Sequence, residues 1–265
     1  MRLPWRAPRQ LPMPPEAYRR WVGPTADADY DNPTGALVYP EIPAARYESV
    51  LDFGCGCGRV ARQLIQQRPR PSRYLGIDVH AELVAWCREQ LAPAAAGFEF
   101  AHLDVRDRLV NDGPDKPDVL PLPADDDSFT LFEAISIFTH IVERQLPHYL
   151  RECARVLRPD GVANASFLLF DKADFPVLDD SRNALYIDDA YPPAAVYYDR
   201  AWLEATLADV GLAVVAIAQA PQTRGYQWRL LLAPLIDGVQ AIPIPADEAP
   251  RGIPADVAAQ RAAAR

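Results

Sequence analysis

The sequence predicts an α/β fold in which apolar strands alternate with amphipathic helices, and three observations predict it. A short apolar run from Ser49 to Phe53 ends in the spaced glycines Gly54, Gly56 and Gly58 and opens directly into a helical pattern. Further strand patterns follow at Tyr74 to Asp78, Gly97 to Leu103, Phe129 to Ile135 and Val162 to Phe170, with helical periodicity between most of them. The chain then shows two adjacent strand patterns, Leu212 to Ala218 and Tyr226 to Ala233. With 265 residues, 49% of them hydrophobic and 24% charged, one globular domain can bury a substantial core.

Each element has a local reason. Residues 1–45 are rich in proline and lack long periodicity; Pro15 to Val22 reads as a short helix with proline in its first turn, and Thr25 to Gly35 as an acidic, turn-rich stretch. The first residues, MRLPWRAPRQLPMPP, are basic but too proline-rich for the apolar segment of a signal peptide. After the glycine turn, Val60 to Gln67 places Val60, Leu64 and Ile65 on one face, and Pro69 and Pro71 stop it. Val79 to Leu91 carries Leu83, Trp86, Cys87 and Leu91 at core spacing. Arg106 to Ser128 is a polar connection without amphipathic helix. Pro159 is expected to end the helix before the fifth strand, and Gly161 to supply a tight turn there.

A long insertion, Asp171 to Pro193, holds Phe175, Tyr186 and Tyr191 among acids and prolines; its aromatic content favours a lid. Asp199 to Asp209 is a helix with Trp202, Leu203 and Leu207 apolar, and from Asp237 an alanine-rich end reads as a mobile tail or weak helix. The expected division is a segment at 1–45 packing over the site, a domain at 46–235 with a lid at 171–198, and a tail at 236–265.

The formal net charge of -9 argues against a polyanionic partner, so no nucleic-acid binding is expected. The basic-looking stretch Arg62 to Arg73 interleaves glutamines and prolines and reads as a solvated helix end. No run of 18 apolar residues occurs, so no membrane association is expected and the cytoplasm is the expected location. Cys55-x-Cys57 lacks two further ligands at metal spacing; these side chains read as small buried thiols, and no metal is expected.

The glycine turn marks a ligand site, because glycine permits close backbone approach at a helix start. Asp52, two residues before the first glycine, disfavours a pyrophosphate there. It suits a ligand bearing an ammonium and a sulfonium and no phosphate, which describes S-adenosylmethionine. The spacing from Gly58 to Asp78 is also compatible with a nicotinamide-binding unit.

The pattern Asp52-x-Gly54-x-Gly56-x-Gly58, with Asp78 ending the next strand, resembles the first motifs of the class I S-adenosylmethionine-dependent methyltransferases. The stretches Glu133 to Ile141 and Arg155 to Gly161 resemble a bacterial small-molecule subgroup of that family; Asp160 stands where glycine is commoner. The resemblance implies a Rossmann-like, seven-stranded, mostly parallel sheet with an antiparallel last strand and helices on both faces.

It also implies site roles. Asp78 takes the ribose hydroxyls, in preference to the alternative of an aspartate that caps the following helix. Asp104 receives the adenine amino group and Val105 donates a backbone bond to the ring; an ordinary loop aspartate is the plainer alternative. Asp52, Gly54, Gly56, Gly58, Ala134 and Ser136 complete the cofactor site, and Arg59 meets the methionine carboxylate or serves the helix start. The segment Tyr18 to Gly23 resembles one that folds over the cofactor.

The implied reaction is in-line attack of an acceptor oxygen or nitrogen on a sulfonium methyl, and His140 is the candidate base. Tyr197 and Tyr198 are weaker candidates for contacting the acceptor. The partner expected is a small-molecule acceptor, such as a sugar or natural product, with a nicotinamide-dependent oxidoreductase and a non-catalytic binding module as alternatives.

Overall fold

Among the described residues, nine strands form one sheet with a mostly parallel spine. The computed structural model describes residues 11–175, 178, 181–222 and 225–248. At its centre β1 (Ser49–Phe53) is buried at all five positions, as a strand covered on both faces must be. It pairs in parallel with β2 (Arg73–Asp78) on one side and β4 (Phe129–Ala134) on the other. β3 (Phe98–His102) lies beyond β2, and β5 (Leu157–Phe170) beyond β4, both parallel.

Further strands lie along both edges of β5. β9 (Gln227–Pro234) pairs antiparallel with Ala163 to Leu168, and β8 (Leu212–Gln219) pairs antiparallel with β9. These seven strands are the mostly parallel sheet with an antiparallel final strand that the sequence predicted. The insertion adds two more: β7 (Val196–Asp199) runs parallel along Leu168 to Phe170, and β6 (Ala184–Tyr186) pairs antiparallel with β7. Part of the expected lid is therefore sheet.

Helices cover both faces. α2 (Arg59–Gln66) and α3 (Ala81–Gln90) bury Val60, Leu64, Ile65, Val84 and Cys87 in one core layer. α4 (Leu146–Val156) and α5 (Arg200–Asp209) bury Leu146, Tyr149, Leu150, Leu203 and Leu207 in the other. Burying one such leucine contributes about 1.5–3 kcal/mol. Asp199 caps α5 by accepting from Trp202 N at 3.0 Å. No helix among the described residues is long and apolar enough to cross a membrane.

Three expectations change. α4 stops at Val156, before Pro159, and residues 158–161 form an irregularity in β5 between the pairs Phe129–Leu157 and Leu131–Val162. Proline is tolerated at such a bulge because it owes no ladder hydrogen bond. Gly161 does not have a positive φ; a Cβ there would lie 2.9 Å from the Arg158 carbonyl oxygen, so close packing requires the glycine. Arg62 is not solvated: its buried guanidinium donates to the carbonyls of Leu11, Pro12 and Tyr30 at 2.8–3.0 Å and pairs with Asp31. That satisfied cation fastens the N-terminal segment, including α1 (Glu16–Val22), to α2.

Beyond Asp237, residues up to 248 pack on the domain: Ile242 N donates to Val214 O at 2.8 Å, and Ile244 is buried. The alanine-rich end at 249–265 and residues 1–10 lie outside the described residues.

A buried acid pair crosses the centre of the sheet. Asp52 stands opposite Glu133 in register, and Glu133 opposite Asn164. Tyr74 Oη donates to Asp52 at 2.7 Å, and Asn164 Nδ2 to one Glu133 oxygen at 2.9 Å. The other Glu133 oxygen has no partner among the described residues. Burial pushes Asp52 up to about 6, with the Tyr74 hydrogen bond opposing it. Burial, reinforced by Asp52, pushes Glu133 well above the usual carboxylate range.

Both carboxyls thus hold protons more tightly folded than unfolded. Their contribution to stability is complete in acid, below the ordinary carboxylate pKa of about 4, and is lost as pH rises through their raised folded values, about 6 for Asp52. Glu133→Gln keeps an acceptor for Asn164 and removes a buried charge. It is expected to raise the melting temperature at about pH 7.5 by about 2–4 °C per kcal/mol recovered, and to raise it less at about pH 5. Thermal melts of both proteins at the two pH values check this.

Candidate functional site

The carboxyl ends of β1, β2 and β4 open into a crevice, the position where ligands lie in open α/β sheets. It has two lobes, one of about 360 Å³ and one of about 570 Å³, that share Gly54, Asp78, Val79, Asp107, Ile137, His140, Tyr191 and Pro193 as common walls. Phe53, Leu103, Val105 and Tyr149 make the first lobe apolar at its base, and Arg106, Arg108 and Arg144 also line it. Trp21, Val22, Gly56, His80, Leu109 and Ser136 belong to the second.

The glycine turn is folded by its own backbone: Gly54 N and Cys55 N both donate to Ile77 O, at 2.7 and 3.0 Å. Gly54 has φ +87°, and a Cβ there would come within 1.9 Å of the Ile137 side chain that walls both lobes. Only glycine fits that position. Gly58, with φ +80°, caps α2, and its missing Cβ makes room for Leu91 and Cys87 of the α3 region, so it serves packing and not the crevice. Val22 lies directly over Gly56, and Trp21 and Val22 line the second lobe.

Asp78 is the acid at the junction of the lobes. Its Oδ2 accepts from Gly56 N at 2.7 Å and its Oδ1 from His80 N at 2.8 Å, so it ties β2 to the glycine turn. Burial raises its pKa while those two N–H groups pull the other way. A carboxylate has about four acceptor positions, and backbone N–H groups of Gly56, His80 and Val79 do not fill them all.

His140 sits in a 3-10 turn, Phe138–His140, just beyond β4. Its Nδ1 lies 2.7 Å from Pro193 O. A carbonyl can only accept, so Nδ1 carries the hydrogen and the neutral ring keeps its lone pair on Nε2. Tyr198 Oη donates to Phe138 O at 2.8 Å and also contacts Ile141 O, clamping both ends of this turn. Tyr197 and Tyr198 are buried and line neither lobe, which corrects the expectation that they contact an acceptor; Tyr198 is a positioning residue.

Ser136 has φ +60° and lines the second lobe; its N donates to Ser166 Oγ at 2.7 Å, and its Oγ lies 3.0 Å from Gln227 Oε1. The sharp turn after β4 is therefore held from β5 and β9.

The remaining predicted residues divide. Gly54, Gly56, Asp78, Val105, Ser136 and His140 come together around the crevice. Asp52, Gly58, Arg59, Asp104 and Ala134 are not among its lining residues. Asp52 lies behind the turn on Tyr74, and Arg59 offers it favourable charge from the same side. Asp104 points outward to Lys116 at 2.5 Å and Asn111 at 3.0 Å, and Ala134 is packed in the core. Cys55 and Cys57 are free and buried, and Cys57 Sγ is 3.6 Å from Tyr30 Oη.

Residues that sequence reasoning did not assign include Val79 and Ile137, which wall both lobes, and Asp107 and Pro193 from the two long connections. Val79 had a signal, since it follows the acid at the end of β2. Pro193 had none.

Residues 50–161 match the family model described as a methyltransferase domain. Methyltransferase GfsG of Streptomyces halstedii is 33% identical over 130 residues, 47% of this chain and 39% of that protein. The match thus spans well under half the length of that relative. An S-adenosylmethionine dependent methyltransferase from Mesorhizobium loti superposes with TM-score 0.51 at 16% identity over 72% of this chain and 93% of the other. A TehB-like SAM-dependent methyltransferase from Corynebacterium glutamicum does so with TM-score 0.50 at 18% identity over 82% and 95%. These two show the shared fold.

Proposed function

We propose, from the premise that residues 50–161 form a class I S-adenosylmethionine-dependent methyltransferase domain, that the chain moves a methyl group from S-adenosylmethionine to a hydroxyl or amine of a small molecule. The observation that carries the reading is His140 at the junction of two lobes, with Nδ1 engaged on Pro193 and Nε2 left to take a proton. The residues fit the cofactor. Asp78 has acceptor positions to spare for ribose hydroxyls, and Val79, Leu103 and Val105 offer an apolar slot beside it. The glycine turn and Ser136 border the adjoining space for the amino-acid end. No lysine or arginine lines the lobe that contains Gly56, so a pyrophosphate there would face Asp78 without a counter-charge.

The bound cofactor supplies an electrophilic methyl on a sulfonium. The chain's own contribution is to hold the acceptor in line, exclude water, and accept the hydroxyl proton at His140 Nε2 as the new bond forms. Tyr198 and Pro193 keep the ring in place for that transfer. A small molecule, and not a nucleic acid, is the acceptor, in keeping with the acidic chain.

Incubation with methyl-labelled S-adenosylmethionine and a panel of hydroxyl and amine acceptors, followed by product analysis, tests the reading. Label is expected in a small-molecule product. Heat on titration with NAD, and none with S-adenosylmethionine, would overturn it.

A further inference from the structure

Ser136 takes a backbone conformation that a residue with a Cβ rarely adopts, φ +60°, at the turn where the chain leaves β4 and enters the crevice. Such a conformation persists only where the surroundings hold it. Two side chains from other strands do so here. Ser166 Oγ on β5 accepts from Ser136 N at 2.7 Å, and Gln227, the first residue of β9, lies within hydrogen-bond distance of both serine hydroxyls. Gln227 itself lines neither lobe.

The three side chains have few hydrogens to share. Ser166 Oγ takes the Ser136 amide hydrogen and gives its own to Gln227 Oε1 at 2.7 Å. With that oxygen turned to Ser166, Gln227 Nε2 stands 2.9 Å from Ser136 Oγ and donates to it. A hydroxyl carries one hydrogen and accepts at its lone pairs, so the amide fills an acceptor position on Ser136 Oγ and leaves the hydrogen. That hydrogen can point back to Gln227 Oε1, 3.0 Å away, or to a ligand in the second lobe, which Ser136 lines. A carboxylate in that lobe meets no lysine or arginine, so O–H and N–H donors must receive it.

We propose that Gln227 is a positioning residue for the amino-acid end of the cofactor: by donating to Ser136 Oγ, its amide keeps the hydroxyl hydrogen available for the methionine carboxylate. The inference rests on the S-adenosylmethionine reading. It adds to that reading a residue 91 positions from Ser136 in sequence and outside the crevice.

The test is calorimetric titration of the full chain with S-adenosylhomocysteine and with 5′-methylthioadenosine, which has the same nucleoside and sulfur but no amino-acid end. Gln227→Glu keeps the acceptor for Ser166 and replaces the donor with a second acceptor, to which Ser136 then gives its hydrogen. Gln227→Met removes both groups without adding charge, and Ser136→Gly removes the hydroxyl with a residue that accepts a positive φ. Each variant is expected to weaken S-adenosylhomocysteine by about 5-fold or more and to leave 5′-methylthioadenosine within about 2-fold of the parent. Equal weakening of both compounds would show that Gln227 only supports the fold and would overturn the proposal, as would variants that leave S-adenosylhomocysteine unchanged or a parent that binds both compounds alike. The two readings fail separately: a parent chain that binds neither compound counts against the cofactor itself, whereas a parent that prefers S-adenosylhomocysteine, with variants that share the preference in full, removes only the role of Gln227.

Discussion

Replacing His140 by alanine is expected to lower turnover by about 10²–10³-fold while leaving the dissociation constant for S-adenosylmethionine within about 2-fold of the parent, the range of effect for loss of a positioned general base. The expectation follows from two features. The Nδ1 contact with Pro193 O fixes which ring nitrogen has the lone pair, and the ring lines both lobes at their junction. Because the same ring contacts the 192–194 turn, alanine also frees that turn, so His140→Gln serves as a second variant that can retain a donor to Pro193 without supplying an imidazole base. If both variants lose turnover alike on a hydroxyl acceptor while cofactor affinity holds, proton transfer at His140 is the cause. Turnover unchanged in both, on a hydroxyl acceptor, removes His140 from the mechanism.

Asp78→Ala should act on the opposite quantity. Its carboxylate accepts from Gly56 N and His80 N, and in the proposed site it also accepts from the ribose. Hydrogen bonds to a charged group contribute about 1.5–3 kcal/mol each, and tenfold in affinity is about 1.4 kcal/mol, so S-adenosylmethionine binding is expected to weaken by about 100-fold. Part of that loss comes through the glycine turn, which loses its tie to β2. Asp78→Asn separates the two contributions, since its amide oxygen preserves one acceptor and its nitrogen donates where a backbone N–H already points. An intermediate loss for asparagine, read by calorimetry alongside the melting temperature, is the expected order. Affinity unchanged in both variants would show that the ribose is not held here.

Much of the fold was legible because it rests on local periodicity. The all-buried β1, the glycine turn, β2 ending in Asp78, and the two neighbouring final strands each announce themselves within a window of ten residues or so. The extra strands β6 and β7 did not, because three- and four-residue strands carry too little pattern and exist only through the edge that β5 leaves free beyond β4. Arg62 was misread for a similar reason: one residue in a basic stretch shows its charge, while the carbonyls of Leu11, Pro12 and Tyr30 that satisfy it are distant in sequence.

The site divided along the same line. Asp78, Gly54 and Gly56 could be found from their spacing, since a strand end and a tight turn fix where such residues stand. Asp52 could not be placed correctly in space from that spacing, because strand alternation sends it behind the turn onto Tyr74, where burial raises its pKa to about 6. Asp104, one residue from the lining Val105, likewise turns outward to Lys116.

By itself, then, the amino-acid order determined the alternation of strand and helix, the glycine turn and the acid that faces it, all of which are set by neighbours in the chain. Only the tertiary structure decided which side chains meet around the crevice and that the Pro193 carbonyl meets His140 Nδ1. The physical reason is that hydrogen bonds, burial and charge act over a few ångströms in space. Residues 53 positions apart, as His140 and Pro193 are, acquire a joint chemistry only once the sheet brings them together.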